Sequence, residues 1–263
     1  QALFSFNDGQ SLLKSYVNSI PLLMKAFPFT LGEGETVRRR GKSSTIVDRV
    51  MDEVDRVYNS VVRTMEGEAQ LIRQVFPHPD DVLKIMIERL FEQKVQSALE
   101  GFFENTEAIP DETYLEFLSG IYEKTLNLKN RLHPYTPRSV NVDSFIESFF
   151  FRSRTEYLAR ENEVLRRLSF QAVEDFSRLI APLEVDDKKK GVADSDDSLD
   201  AHVSETAMGG GRDARLFSIV INELPSTMSR LVEAHRISLK RCQQLSEAHK
   251  LSESIVNISA TTV

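Results

Sequence analysis

Tryptophan is absent from this 263-residue chain, cysteine occurs once, and glycine (11) and proline (9) are both scarce. Each shortage excludes something. A single cysteine, Cys242, cannot form an internal disulfide, and it fits a reducing compartment. So few glycines and prolines suit long helices better than the many turns of an all-β domain. No apolar run approaches the roughly 20 residues that span a bilayer, so no transmembrane segment is expected. The start, "QALFSFNDGQSLLKSY", has no initiator methionine and no basic, signal-like leader. We therefore read the chain as a piece of something longer, from the cytosol. A formal charge of −7 argues against the basic face that backbone recognition of nucleic acid requires.

What is present is helical periodicity. Hydrophobic residues make up 41% of the chain and charged residues 28%, enough for a substantial core beneath a charged surface. After a turn at Asn7-Asp8-Gly9, Leu12, Leu13, Tyr16, Val17 and Ile20 step by three and four, which predicts a short helix within residues 1–27. Residues 28–44, "PFTLGEGETVRRRGKSS", predict a loop. Thr45 with Asp48 forms a capping-box pattern. A stripe through Val50, Val54, Val57/Tyr58, Val61 and Met65 then runs to about Phe76, where Pro77 and Pro79 stop it.

The next stretch, "VFPHPDDVLKIMIERLFEQKVQSALEGFF", places Asp80 or Asp81 as a cap. It aligns Leu83, Ile87, Phe91, Val95, Ala98 and Phe102 on one face, widened by Met86, Leu90 and Leu99. Beyond Ile109-Pro110, the spacing of Tyr114, Leu118, Ile121, Thr125, Leu128 and Leu132 predicts a fourth helix from near Asp111. A fifth runs from Asp143 to about Ile180, with a charged middle, "RSRTEYLARENEVLRR", expected to be mostly solvated.

Residues 182–214 carry blocks of charge and a glycine triplet with few large apolar residues, and are read as a disordered linker. From Arg215 a helical pattern resumes through Phe217, Ile221, Leu224, Met228, Leu231, His235, Ser238, Cys242 and Leu245, with a kink or restart expected at Pro225. The fold class expected is all-α: five or six helices and no strand, packed as an elongated antiparallel helical bundle or rod. Its organisation would be a bundle over 1–181, a linker over 182–214, and a helical segment over 215–263 that continues the rod.

No constellation for catalysis, cofactor binding or metal binding appears. His78, His133, His202, His235 and His249 are scattered, and no HExxH, CxxC or carboxylate–histidine cluster occurs, so each is read as a surface or interface histidine. Cys242 follows Arg241 but falls on the apolar face with no base in register, which makes it a buried structural cysteine. "MGGGRD" lacks the lysine and the preceding strand of a phosphate loop. Asp80-Asp81 and Asp186-Asp187 are read as capping and solvated acids, and Ser195 and Ser198 as serines in an acidic tract open to phosphorylation. The distinctive surface feature is Arg38, Arg39, Arg40 and Lys42: a solvated loop in the plain reading, or a contact for an acidic partner or anionic lipid headgroup.

Several segments together resemble a known family. The stretch at 75–103, then "YLEFLSGIYEKTLNLKNRL", then "FIESFFFRSRTEYLARENEVLRRLSFQAVEDF", follow the order of elements in the middle of the exocyst's Sec-ten subunit family (exocyst complex component five) and its fungal relatives of the recyclin type. "FNDGQSLLKSYVNSIPLL" and "LVEAHRISLKRCQQLSEAHKLSESI" extend the likeness to about 220 residues, leaving 28–44 and 182–214 outside it. The resemblance implies a non-enzymatic tethering scaffold of stacked helical bundles that helps hold secretory vesicles at the plasma membrane before fusion. It implies other exocyst subunits as partners, the Sec-fifteen subunit among them and, in animals, an Arf-type GTPase. It implies a cytoplasmic protein with at most peripheral membrane contact. A recyclin-type relative would instead be an endosomal recycling adaptor carrying an F-box upstream.

Overall fold

The computed structural model describes residues 9–24, 46–104, 109–190, 210–246 and 250–261. Among these residues every regular element is a helix, and there is no strand. The chain divides into two compact units, 1–157 and 158–263.

In the first unit, Gly9 adopts a left-handed conformation (φ 66°) that only glycine takes at little cost, and α1 (Gln10–Ser19) starts directly after it. A short α2 (Pro21–Met24) follows. Helix α3 (Ile46–Val75) ends just before Pro77, as its sequence predicts. Thr45 of the expected capping box lies outside the described residues.

Helix α4 (Pro79–Arg89) opens differently from expectation. His78 takes the N-cap position without a side-chain cap bond, because Pro79 occupies the first helical turn and moves Asp80 and Asp81 inside it. There the two carboxylates oppose the positive helix end. Proline is harmless at that place, since its missing N–H would have no helical partner anyway.

Helix α4 then passes through a π-helical turn, Leu90–Val95, into α5 (Gln96–Glu104). The stripe Leu83, Ile87, Phe91, Val95 advances by four residues each time, so on a regular α-helix it would rotate by about 40° per step. A π turn, with its i→i+5 bonds, takes more residues per turn and brings such a stripe back into line. The Gln96 N–H donates to the Phe91 carbonyl across five residues. All four stripe residues are buried.

Helix α6 (Asp111–Leu132) carries Asp111 and Glu112 in its first turn and Lys129 and Arg131 in its last, each opposing the local dipole. It ends in a 3₁₀ turn, His133–Tyr135. Helix α7 (Val142–Lys190) is capped by Asn141, whose Oδ1 accepts from the Ser144 N–H at 3.3 Å.

Helices α3 and α6 run parallel. Tyr58 meets Thr125, Asp55 meets Lys124, Asn59 meets Arg131 and Arg73 reaches the Pro134 carbonyl, at sequence separations of 67, 69, 72 and 61. A near-constant separation means that both chains advance in the same direction. The segment from Pro79 to Glu104 is therefore the return leg between them, and it packs on both α3 and α1.

In the second unit, the later part of α7 is accompanied by α8 (Gly210–Leu245) and α9 (Leu251–Ala260). Its apolar centre includes Val164, Leu165, Cys242, Leu245 and Ile258. Two expectations need correcting. Helix α7 continues to Lys190 and α8 begins at Gly210, so residues 182–190 and 210–214 are helical rather than linker. Once a helix is nucleated, each further residue adds one backbone bond for one residue fixed, and polar sequence can be carried along. Residues 191–209 lie outside the described residues. Of the kink or restart expected at Pro225, the restart does not occur: α8 is continuous through that exposed proline.

Candidate functional site

The parallel packing of α3 and α6 leaves an open groove of about 590 Å³ between them. Val47, Met51 and Leu128 supply its apolar surface; Asp48, Asp55, Glu116 and Glu123 make it acidic against Lys124 and Arg131. Lys124 Nζ lies 2.6 Å from Asp55 Oδ2, and Arg131 Nη1 donates to Asn59 Oδ1 at 2.8 Å. At the floor the two helices approach closely, and a Cβ on Gly120 would stand 2.7 Å from Met51 Cε. The groove holds no imidazole and no thiol. Its lining thus carries four carboxylates against two cations.

Below it, Thr125 Oγ1 donates to the Ile121 carbonyl at 2.8 Å, so the Tyr58 hydroxyl is the donor in the 2.8 Å bond that joins the two side chains. Burial pushes this phenol above the ordinary tyrosine range. Burial also raises Tyr16, with help from the Glu68 carboxylate that accepts its hydroxyl at 2.5 Å. In the π turn, Lys94 is 5% exposed, and burial pulls its ammonium below the usual lysine value.

The charged middle of α7 was expected to be mostly solvated. It turns one stripe inward, with Ser153, Tyr157, Glu161 and Leu165 buried at four-residue spacing. Glu161 is completely buried, and Arg241 of α8 bonds both of its carboxylate oxygens, Nε at 2.9 Å and Nη2 at 2.5 Å. Sequence reasoning missed this pair. The available signal was Glu161 standing four residues from both Tyr157 and Leu165.

Among the described residues, no two of the singled-out residues come together. Arg38, Arg39, Arg40 and Lys42 lie outside the described residues, as do Ser195, Ser198, His202 and His249. His78 begins α4, His133 follows α6, and His235 Nδ1 lies 3.0 Å from the Leu231 carbonyl of its own helix. Cys242 is buried, as expected, with Sγ 3.3 Å from Ser246 Oγ. Among the described residues no three His, Cys, Asp or Glu side chains stand together as metal ligands. Among the described residues no helix is long and apolar enough to cross a membrane.

Comparison with known proteins supplies what the site does not. The family model described as "Exocyst complex component Sec10-like, alpha-helical bundle" matches residues 1–263. "Exocyst complex component 5" of rice (Oryza sativa subsp. japonica) is 25% identical over 173 residues, 63% of this chain and 21% of that protein. "Exocyst complex component SEC10a" of Arabidopsis thaliana is 25% identical over 174 residues, with the same shares. The human "Exocyst complex component 5" is 24% identical over 182 residues, 64% of this chain and 25% of the relative. The chain thus spans a fifth to a quarter of the length of these curated relatives. With a family match running through every helix described above, this chain belongs to the Sec10-like alpha-helical bundle family of exocyst complex components.

Proposed function

We propose that this chain is a non-enzymatic helical-rod segment of an exocyst-type tethering subunit, which helps hold secretory vesicles at the plasma membrane before fusion. The observation that carries the reading is the family match over residues 1–263. Protein contacts would do the work. Apolar stripes hold the helices together, and charged faces such as the acidic α3–α6 groove select partners among the other subunits, the Sec-fifteen subunit and a small GTPase included. The same reading makes the protein cytoplasmic and peripheral at the plasma membrane or secretory vesicles. Arg38, Arg39, Arg40 and Lys42 become a contact for an acidic partner or an anionic headgroup.

The test is affinity purification of the full-length protein from its own cells, with secretion followed after its depletion. Recovery of other exocyst subunits, and accumulation of undocked vesicles on depletion, is the expected result. Normal secretion with no subunit recovered would sink the reading. Recovery of a ubiquitin ligase instead would favour the recyclin-type adaptor.

A further inference from the structure

The outer face of α3 carries a hollow of about 460 Å³, lined by Arg56, Asn59, Ser60, Arg63 and Thr64. Steps of three and four residues put these side chains on one face over about two turns. That face is turned away from the buried stripe of Val54, Val61 and Met65. In a chain of formal charge −7, this lining has two guanidinium groups and no carboxylate. Every polar side chain in it can donate a hydrogen bond.

Those donors are largely unspent. Other helical hydroxyls of the first unit bond back to a carbonyl of their own helix, as Ser119 does to Glu116 at 3.1 Å and Thr125 to Ile121 at 2.8 Å. Ser60 and Thr64, both half-buried, have no such bond among the described residues. Arg131 Nη1 of α6 donates to Asn59 Oδ1 at 2.8 Å, which leaves the Asn59 amide N–H groups as donors. Among the described residues Arg63 has no ion-pair partner. Arg56 bonds Glu53 one turn outside the lining, an exposed pair on a single helix that water and salt weaken.

The arrangement of the donors selects the ligand. Arg56 and Arg63 stand seven residues apart, about 10.5 Å along the helix, with Ser60 between them. A carboxylate offers two oxygens in one plane, and a single guanidinium fork fills it. A phosphate monoester offers three oxygens around a tetrahedral centre, enough for two forks from either end and a hydroxyl from below. We infer that this face of α3 is a binding site for a phosphomonoester ligand of small-molecule size, either soluble or borne on a lipid. Arg56 exchanges Glu53 for phosphate, Arg63 gains a partner, and Asn59, Ser60 and Thr64 donate beneath them. The hollow is large enough to take a ring as well as its phosphates.

The experiment titrates the full-length protein with inositol trisphosphate by calorimetry at physiological salt. In parallel it floats the protein with phosphatidylcholine vesicles, with and without phosphatidylinositol bisphosphate. The variant Arg56→Gln/Arg63→Gln is compared with Arg166→Gln/Arg178→Gln, which removes the same charge from exposed positions of α7. Saturable binding with a Kd below about 1 mM is expected. The α3 variant should weaken it about tenfold and Ser60→Ala about threefold, with the α7 variant unchanged. None of these positions is buried, so every variant should keep the wild-type circular dichroism. Binding of the trisphosphate identifies a soluble ligand, and flotation that requires the bisphosphate and is lost in the α3 variant identifies a lipid one. Either result sustains the inference. Binding of neither probe overturns it, as does equal weakening by the α3 and α7 variants, which would mean diffuse charge, or a Ser60→Ala protein with unchanged affinity. All of these outcomes leave the tethering reading untouched.

Discussion

Arg241 closes both oxygens of a fully buried Glu161 across 80 residues of sequence, the guanidinium itself only 14% exposed. Glu161 has no water to fall back on and Arg241 little, so the pair behaves unlike the surface pairs along α7 such as Arg166–Glu163. Arg241→Ala strands a buried carboxylate and should cost about 3–5 kcal/mol in urea unfolding of the second unit. Replacing both partners by apolar residues, Glu161→Leu with Arg241→Met, should recover most of that loss. A single-variant loss under about 1 kcal/mol would mean that Glu161 reaches solvent.

Two helical glycines of the first unit, Gly67 and Gly120, should respond differently to alanine. A Cβ on Gly67, an exposed position within α3, meets nothing within 4 Å. Gly67→Ala should therefore stabilise by about 1 kcal/mol through helix propensity alone. At Gly120 the new methyl would press on the flexible end of Met51, which must turn aside and uses up much of the same gain. Thermal denaturation should rank Gly67→Ala above Gly120→Ala. The reverse order would place the two helices farther apart than described.

Phe91 fixes the π turn against α7, stacking on Phe145 at 5.7 Å and on Phe149 at 6.5 Å between ring centroids. It is fully buried, so Phe91→Ala should cost about 3–5 kcal/mol. Phe91→Leu, which keeps most of the volume, should cost under half of that. Equal effects would mean that the cavity left by alanine collapses.

Alkaline pH should weaken the first unit. Tyr58 is held protonated above its ordinary pKa by burial, as are Tyr16 and Tyr122. The folded state thus holds these protons more tightly than the unfolded chain. The stability they contribute is complete below the unfolded value of about 10 and declines as pH rises beyond it. Urea midpoints measured from about pH 8 to 11 should fall at the upper end, and Tyr58→Phe should flatten that fall. An unchanged slope in the variant would assign the effect to the other two tyrosines.

Helix ends set by proline were legible in the sequence, although the cap of α4 was not. Pro77 ends α3 and Pro110 precedes α6 because proline disrupts a helix from within and tolerates its first turn. The buried faces of α3 and α6 followed from three- and four-residue spacing. What escaped depended on partners distant in sequence. The spacing of Glu161 from Tyr157 and Leu165 hints at burial, but nothing local names its answering charge, which is 80 residues away. The π turn at Leu90–Val95 did leave a local trace, the repeated four-residue step, but a sequence reading absorbs that step into an ordinary helix. The acidic groove was invisible because a parallel pairing of non-consecutive helices creates it. The end of α7 was misjudged for a different reason: composition argued for a linker, while propagation from a long helix carried the chain to Lys190.

The parallel pairing of α3 with α6 also bears on how the chain is born. Contacts between the two helices join residues 61 to 72 apart, and none can form until the return leg has been made. At about 5–20 residues per second, a ribosome needs about 4–14 s to lay down 70 residues. Through that interval the face of α3 that carries Tyr58 waits for Thr125 of α6, with only the earlier α1 and α2 and the emerging return leg beside the helix. A pause in translation within residues 79–110 would lengthen the wait, and it is there that a nascent-chain chaperone would find something to hold.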